Sequence, residues 1–171
     1  TEAGYWICVN TNIPNKLLGE ALAANTIPEL AGYQQQQAEV RYGNNSRIDW
    51  LLSHHSNQPD CYIEVKNVTL LEHHQGFFPD AVSARASKHL QELTAMKKQG
   101  QRAIIFFVVS HSGINSVAPA THIDPAYGKA FNHALENGVE ALAYRATMNA
   151  SAIYLTEPLP VIGAEPQFPG Q

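Results

Sequence analysis

The sequence predicts an α/β domain in which a mixed central sheet is flanked by helices. Three observations predict it. Residues 103–109 read Ala-Ile-Ile-Phe-Phe-Val-Val, a continuously apolar run of the kind an interior strand needs when both its faces are covered. Two short, mainly apolar segments at 47–52 and 61–66 flank a turn with Ser, Asn, Pro and two His, the pattern of an antiparallel hairpin. The element order, β-α-β-β-β-α-β-α-β, interleaves helices with strands.

Residues 5–9, Tyr-Trp-Ile-Cys-Val, read as a first β segment, followed by a turn at 10–15. A helix is expected over 16–25, where Leu17, Leu18, Ala21, Leu22 and Ala24 make an apolar stripe with Glu20 on its flank. Ile27-Pro28 ends it, since the residue before a proline avoids helical conformation. A polar link at 32–37 leads to a strand at 38–42, and Gly-Asn-Asn-Ser at 43–46 turns into the strand of Asp49. The strand of Glu64 is expected to run on to 71, with a loop over 72–79. Asp80 is the expected cap of the longest helix, 81–98, which stops at Gly100. After strand 103–109 and a loop at 110–121, Asp124-Pro125 opens a helix over 126–136 and Asn137-Gly138 closes it. A strand at 139–147, an edge strand at 152–156 and an irregular Pro-rich tail complete the chain.

With 171 residues, one well-buried core is the expectation. Residues 1–161 are read as a single domain and 162–171 as an irregular tail. Cys8 and Cys61 offer neither a disulfide framework nor paired metal spacing, which fits a reducing, cytoplasmic compartment. No apolar run reaches the roughly 18 residues of a membrane span, so no membrane partner is expected. The opening Thr1-Glu2-Ala3-Gly4, without an initiator Met, suggests a truncated or processed chain. A net charge of −4 argues against strong, sequence-indifferent binding of nucleic acid over the whole surface, while leaving room for a local basic patch.

The informative residues are Asp49, Glu64 and Lys66, charges in strands whose other positions are apolar. Alternate residues of a strand share a face, so Glu64 and Lys66 point one way and Ile63 and Val65 the other. The hairpin brings Asp49 back beside Glu64. Two carboxylates and a lysine together suit a hard divalent cation, Mg²⁺ or Mn²⁺, with Lys66 placed to position or deprotonate a water for attack on phosphorus.

Helix, strand, strand with Asp, strand with Glu-x-Lys, helix and strand is the order of the PD-(D/E)xK, or restriction-endonuclease-like, core. More specifically, the chain resembles the sugar fermentation stimulation protein A family of bacteria and archaea. The resemblance lies in Val9-Asn10-Thr11 with Asn15 and Leu17, Glu39-Val40-Arg41-Tyr42-Gly43, Ser46-Arg47-Ile48-Asp49 and Tyr62-Ile63-Glu64-Val65-Lys66-Asn67-Val68-Thr69-Leu70. It continues in Phe78-Pro79-Asp80-Ala81-Val82, Lys88-His89-Leu90, Ile123-Asp124-Pro125 and Leu142-Ala143-Tyr144, and so covers nearly the whole chain. Ile48 stands where the signature is named for a proline. The resemblance implies a DNA-binding protein linked to regulation of sugar, notably maltose, metabolism. It also implies a nuclease-like domain that follows an OB-like barrel, and this chain begins near where that barrel ends.

On that resemblance Asp49, Glu64 and the carbonyl of Val65 are the expected metal ligands, and Asp49, Glu64 and Lys66 the catalytic group. Glu39 and Glu20 compete as a further acid; the alternative for Glu39 is an exposed, salt-bridged strand residue, and for Glu20 a solvated helix flank. Arg85, Lys88 and His89, three and four positions apart on one helix, are expected to contact DNA phosphates. The adjacent pairs His54-His55 and His73-His74 are not expected to bind zinc, because adjacent residues do not readily share one ion. Two readings of function follow: a DNA-binding protein with a nuclease-like metal site, or an active Mg²⁺-dependent nuclease that hydrolyses phosphodiesters.

Overall fold

The apolar run is the spine of the molecule. In the computed structural model, which describes residues 4–42 and 46–163, it becomes β6 (Arg102–Val109), every residue of which is buried. Before it in the chain come α1 (Ile13–Ala23), a 3-10 turn at Pro28–Leu30, β1 (Gln35–Tyr42), β2 (Ser46–Ser53), β3 (Cys61–Val68), β4 (Leu70–Glu72), β5 (Gln75–Phe78) and α2 (Ala84–Lys98). After it come β7 (Ser116–Pro119), α3 (Pro125–Glu136), β8 (Glu140–Met148) and β9 (Ile153–Pro158).

The main sheet has the order β1-β2-β3-β6-β8-β9. Its three central strands, β3, β6 and β8, are parallel, and antiparallel strands continue it on both sides. The mixed sheet expected from the sequence is therefore present. Both parallel connections carry a helix, and the shared handedness of such crossovers puts α2 and α3 on one face. There Leu90, Leu93, Tyr127 and Phe131 pack on Ile105, Phe107 and Val109. The opposite face takes α1, whose Leu17, Leu18 and Leu22 pack with Ile63, Ile104, Phe106 and Val108. From Ala103 to Val109 the period-2 alternation of β6 is thus spent on apolar contacts, odd residues toward one helix layer and even ones toward the other.

Several boundaries differ from the sequence reading. Residues 5–9 do not form a strand: Ile7 makes a single isolated bridge to His111, just beyond the end of β6. Helix α1 starts at Ile13 rather than 16, since Pro14 lies in the first turn, where its missing N–H costs nothing. Strand β1 reaches back to Gln35, its glutamines lying on an edge strand that has no neighbour to bury them. The strand of Glu64 ends at Val68 rather than 71, and Leu70–Glu72 forms β4 in a different sheet. The segment read as a loop at 72–79 holds β5, joined to β4 by His73 and His74, both with positive φ (48° and 67°), as a two-residue hairpin turn requires. With β7, from the expected loop at 110–121, these strands make a second, three-stranded sheet. Helix α2 begins three residues later than expected, and Ser83, not Asp80, caps it by accepting the Ala86 N–H at 3.1 Å. Asp124 does cap α3, accepting from Tyr127 at 3.0 Å, and its second oxygen accepts the Ser83 N–H at 2.9 Å. One carboxylate thereby ties the starts of both helices together. Most of the turn expected at 43–46, the residues 1–3 and most of the tail, 164–171, lie outside the described residues. Among the described residues no helix is long and apolar enough to cross a membrane.

Candidate metal and nucleic-acid site

The hairpin of β2 and β3 pairs Leu52 with Cys61, Leu51 with Tyr62 and Trp50 with Ile63, and there the ladder stops. Asp49 stands at the next rung, and its side chain takes over the work of the backbone: Oδ2 accepts the Val65 N–H at 2.7 Å. In an extended strand the N–H and C=O of one residue project to the same edge, so the Val65 carbonyl faces this fork as well. The other oxygen of Asp49 accepts from Asn15 Nδ2 at 3.0 Å. Asn15 reaches it because Gly19, four residues on and on the same helix face, lets α1 settle against Trp50. A Cβ at Gly19 would lie 2.6 Å from that ring.

Glu64 and Lys66 project from β3 toward α2, as the strand period requires. Lys66 Nζ donates to Glu64 Oε1 at 2.8 Å, and His89 Nδ1 touches the same oxygen. Glu64 is 3% exposed, and its Oε2 is buried with no hydrogen-bond partner. The ring of Phe78 lies with its centroid 6.0 Å from Lys66 Nζ, itself packed against Phe107 and Tyr127, and so walls the ammonium off from one side.

The electrostatics follow from these contacts. Burial alone would push the Glu64 carboxyl up, but His89 and Lys66 outweigh it and hold it below the usual carboxylate range. Asp49 is pushed the other way, raised by burial and by the charge of Glu64 against the opposing pull of the Val65 N–H, Asn15 and Lys66. The second carboxylate of the pair is thus short of compensating positive charge.

The donors at the fork are hard oxygens: two carboxylates, one with a buried unpartnered oxygen, and a main-chain carbonyl. That set fits a hard divalent cation such as Mg²⁺, Mn²⁺ or Ca²⁺, and not zinc. Among the described residues no group of three or more His, Cys, Asp or Glu side chains stands ready to hold a metal, so water or substrate would complete the shell.

The remaining expected residues are placed as follows. Glu39, at a positive φ of 55° in β1, pairs with Arg47 at 3.0 Å, both side chains more than half exposed. Glu20 pairs with Lys16 at 3.7 Å along the outer side of α1. Neither is brought to the fork by these contacts. Arg85 and Lys88 are exposed on α2; Lys88 pairs with Glu92 at 3.5 Å. His89, expected beside them on a phosphate-facing surface, is instead 9% exposed and turned inward onto Glu64 and Lys66. The sequence did carry a signal for this, since His89 falls between Ala86 and Leu90 on the buried stripe of α2. Asn15 and Phe78 were not singled out as site residues. Nothing in local pattern marks them, because their roles depend on how α1 and the small sheet dock.

The family model described as the sugar fermentation stimulation protein RE domain matches residues 12–152. The curated sugar fermentation stimulation protein homologs of Hahella chejuensis and Pseudoalteromonas atlantica are 54% and 55% identical to the chain. The matches cover 94% and 95% of this chain and 67% and 69% of those proteins. Among solved structures, that of Pyrococcus furiosus SfsA in complex with Ca²⁺ matches with a TM-score of 0.84 at 29% identity, covering 91% of this chain and 67% of that one.

Proposed function

This chain belongs to the sugar fermentation stimulation protein family, and we propose that its restriction-endonuclease-like domain binds DNA around a divalent cation held by Asp49, Glu64 and the Val65 carbonyl. In this reading the protein acts in the cytoplasm in the regulation of sugar, notably maltose, metabolism. The observation that carries the proposal is Glu64 Oε2, a buried carboxylate oxygen without a partner beside a second carboxylate short of positive charge. The relative whose structure holds Ca²⁺ supports a divalent cation, and Mg²⁺ or Mn²⁺ suits the same oxygen donors. Arg85, exposed on the helix that covers the site, is the cation best placed to meet a phosphate, with Lys88 one turn further on.

One observation favours a catalytic reading of the same site. Lys66 is held at 2.8 Å from Glu64 in a half-buried position walled by Phe78, where its ammonium steadies developing negative charge more than it would in water. A bound dication would supply Lewis-acid stabilisation of a phosphodiester there. Asp49 and Glu64 would hold it, and Lys66 would orient a water or stabilise charge at the phosphorus. Incubation of the protein with single-stranded, duplex and branched DNA, with and without Mg²⁺ or Mn²⁺, separates the two readings. Metal-dependent cleavage lost in Asp49→Asn supports the nuclease. Binding without cleavage supports the binding protein, and neither binding nor cleavage of any of these DNAs rejects both.

A further inference from the structure

His89 is a buried imidazole that the expected roles leave without a task, and its two nitrogens have different neighbours. Arg85 Nε lies 3.4 Å from Nε2 and can only donate, so Nε2 is the unprotonated, accepting nitrogen. A neutral imidazole with Nε2 accepting carries its proton on Nδ1. Nδ1 touches Glu64 Oε1, an acceptor, and the N–H is directed there. Lys66 Nζ stands 3.0 Å from the same Nδ1 but has an acceptor of its own in Glu64 Oε1, so lysine and histidine both donate to a single oxygen. Oε1 is thereby occupied twice and Oε2 not at all.

We propose that His89, fixed in its Nδ1–H tautomer by Arg85, is a positioning residue that clamps Glu64 Oε1 so that Oε2 alone is offered to the cation. This rests on the cation reading given above. It assigns Arg85 a second contact besides any phosphate, and it explains why a polar ring occupies the core-facing stripe of α2 among Ala86, Leu90 and Leu93. Residues that hold a ligand through its second oxygen are commonly worth 10–100-fold in metal affinity.

The test has two arms on the whole chain. In the first, nitrogen NMR of wild-type protein reads which ring nitrogen of His89 carries the proton near pH 8; a protonated Nδ1 and a bare Nε2 are expected. In the second, Ca²⁺ alone is titrated into wild type, His89→Asn and His89→Leu, each first shown to melt cooperatively. Asn places an amide N–H near the Nδ1 position, so affinity should stay within about threefold of wild type, whereas His89→Leu should lose roughly 10–100-fold. A proton on Nε2, or folded His89→Leu binding Ca²⁺ as wild type does, overturns the proposal. Wild type that takes no Ca²⁺ defeats the cation reading itself, and the tautomer distinguishes that failure from a failure of the clamp.

Discussion

Asp49 accepts the backbone N–H of Val65 at 2.7 Å, a side chain standing in for the rung that β2 and β3 do not make. On the cation reading proposed above, the same carboxylate has a structural and a chemical task, and substitutions should separate them. Asp49→Ala leaves the buried Val65 N–H without an acceptor and should cost about 1–3 kcal/mol in chemical denaturation. Asp49→Asn keeps an acceptor and should cost distinctly less. Equal losses in both would mean that the hydrogen bond contributes nothing to the fork.

Lys66→Met keeps the apolar stem against Phe78 and removes the ammonium. If the site turns over, cleavage should fall by ~10²-fold or more, the scale of losing one electrostatic stabiliser. Cation affinity should hold or rise, because a neighbouring positive charge is gone. Cleavage at the wild-type rate in this variant would remove Lys66 from the chemistry while leaving the metal ligands standing.

DNA binding by this acidic chain should be weak and salt-sensitive. Charge reversal at Arg85 should weaken it and reduce the salt slope by about one. Reversal at Lys88 should do less, since that lysine already pairs with Glu92. Tight binding, insensitive to salt and to both substitutions, would reject phosphate contact by α2.

Asp124 supplies a pH dependence with a definite sign. Backbone N–H groups of Ser83 and Tyr127 hold its carboxyl below the usual value, so the folded state favours the charged form. Its contribution is complete above the ordinary carboxylate range and is lost as pH falls through the depressed folded-state value. Asp124→Asn should therefore be less stable than wild type by about 1 kcal/mol at neutral pH, and the gap should close in acid. A gap that stays constant down to the acid transition would show that the charge is not what ties α2 to α3.

The hairpin and its Asp49, Glu64 and Lys66 were legible because they depend on local rules: strand period, turn composition and charges set where apolar residues belong. The all-buried β6 was legible for the same reason. What the sequence hid is non-local or contrary to habit. His73-His74 adopts a turn usually written Asn-Gly, so the sequence gives no sign that β5 folds back on β4, and it reads as a loop. Trp6 and Val9 have strand-like composition, but their segment makes only the single bridge of Ile7 to His111, and both remain exposed. At His89 polarity suggested a surface role and position a buried one, and position prevailed. The splayed ladder that lets Asp49 reach Val65 has no signature in either strand alone.

The central claim is that Asp49 and Glu64 share a divalent cation, and thermal melting tests it most directly. A cation that binds only the folded site stabilises by linkage, about 2.7 kcal/mol at a hundred times its dissociation constant. Mg²⁺, Mn²⁺ or Ca²⁺ should therefore raise the melting temperature of wild type by several degrees, and Asp49→Asn should lose most of that rise while melting cooperatively without metal. An equal rise in wild type and Asp49→Asn would contradict the account and place the cation elsewhere.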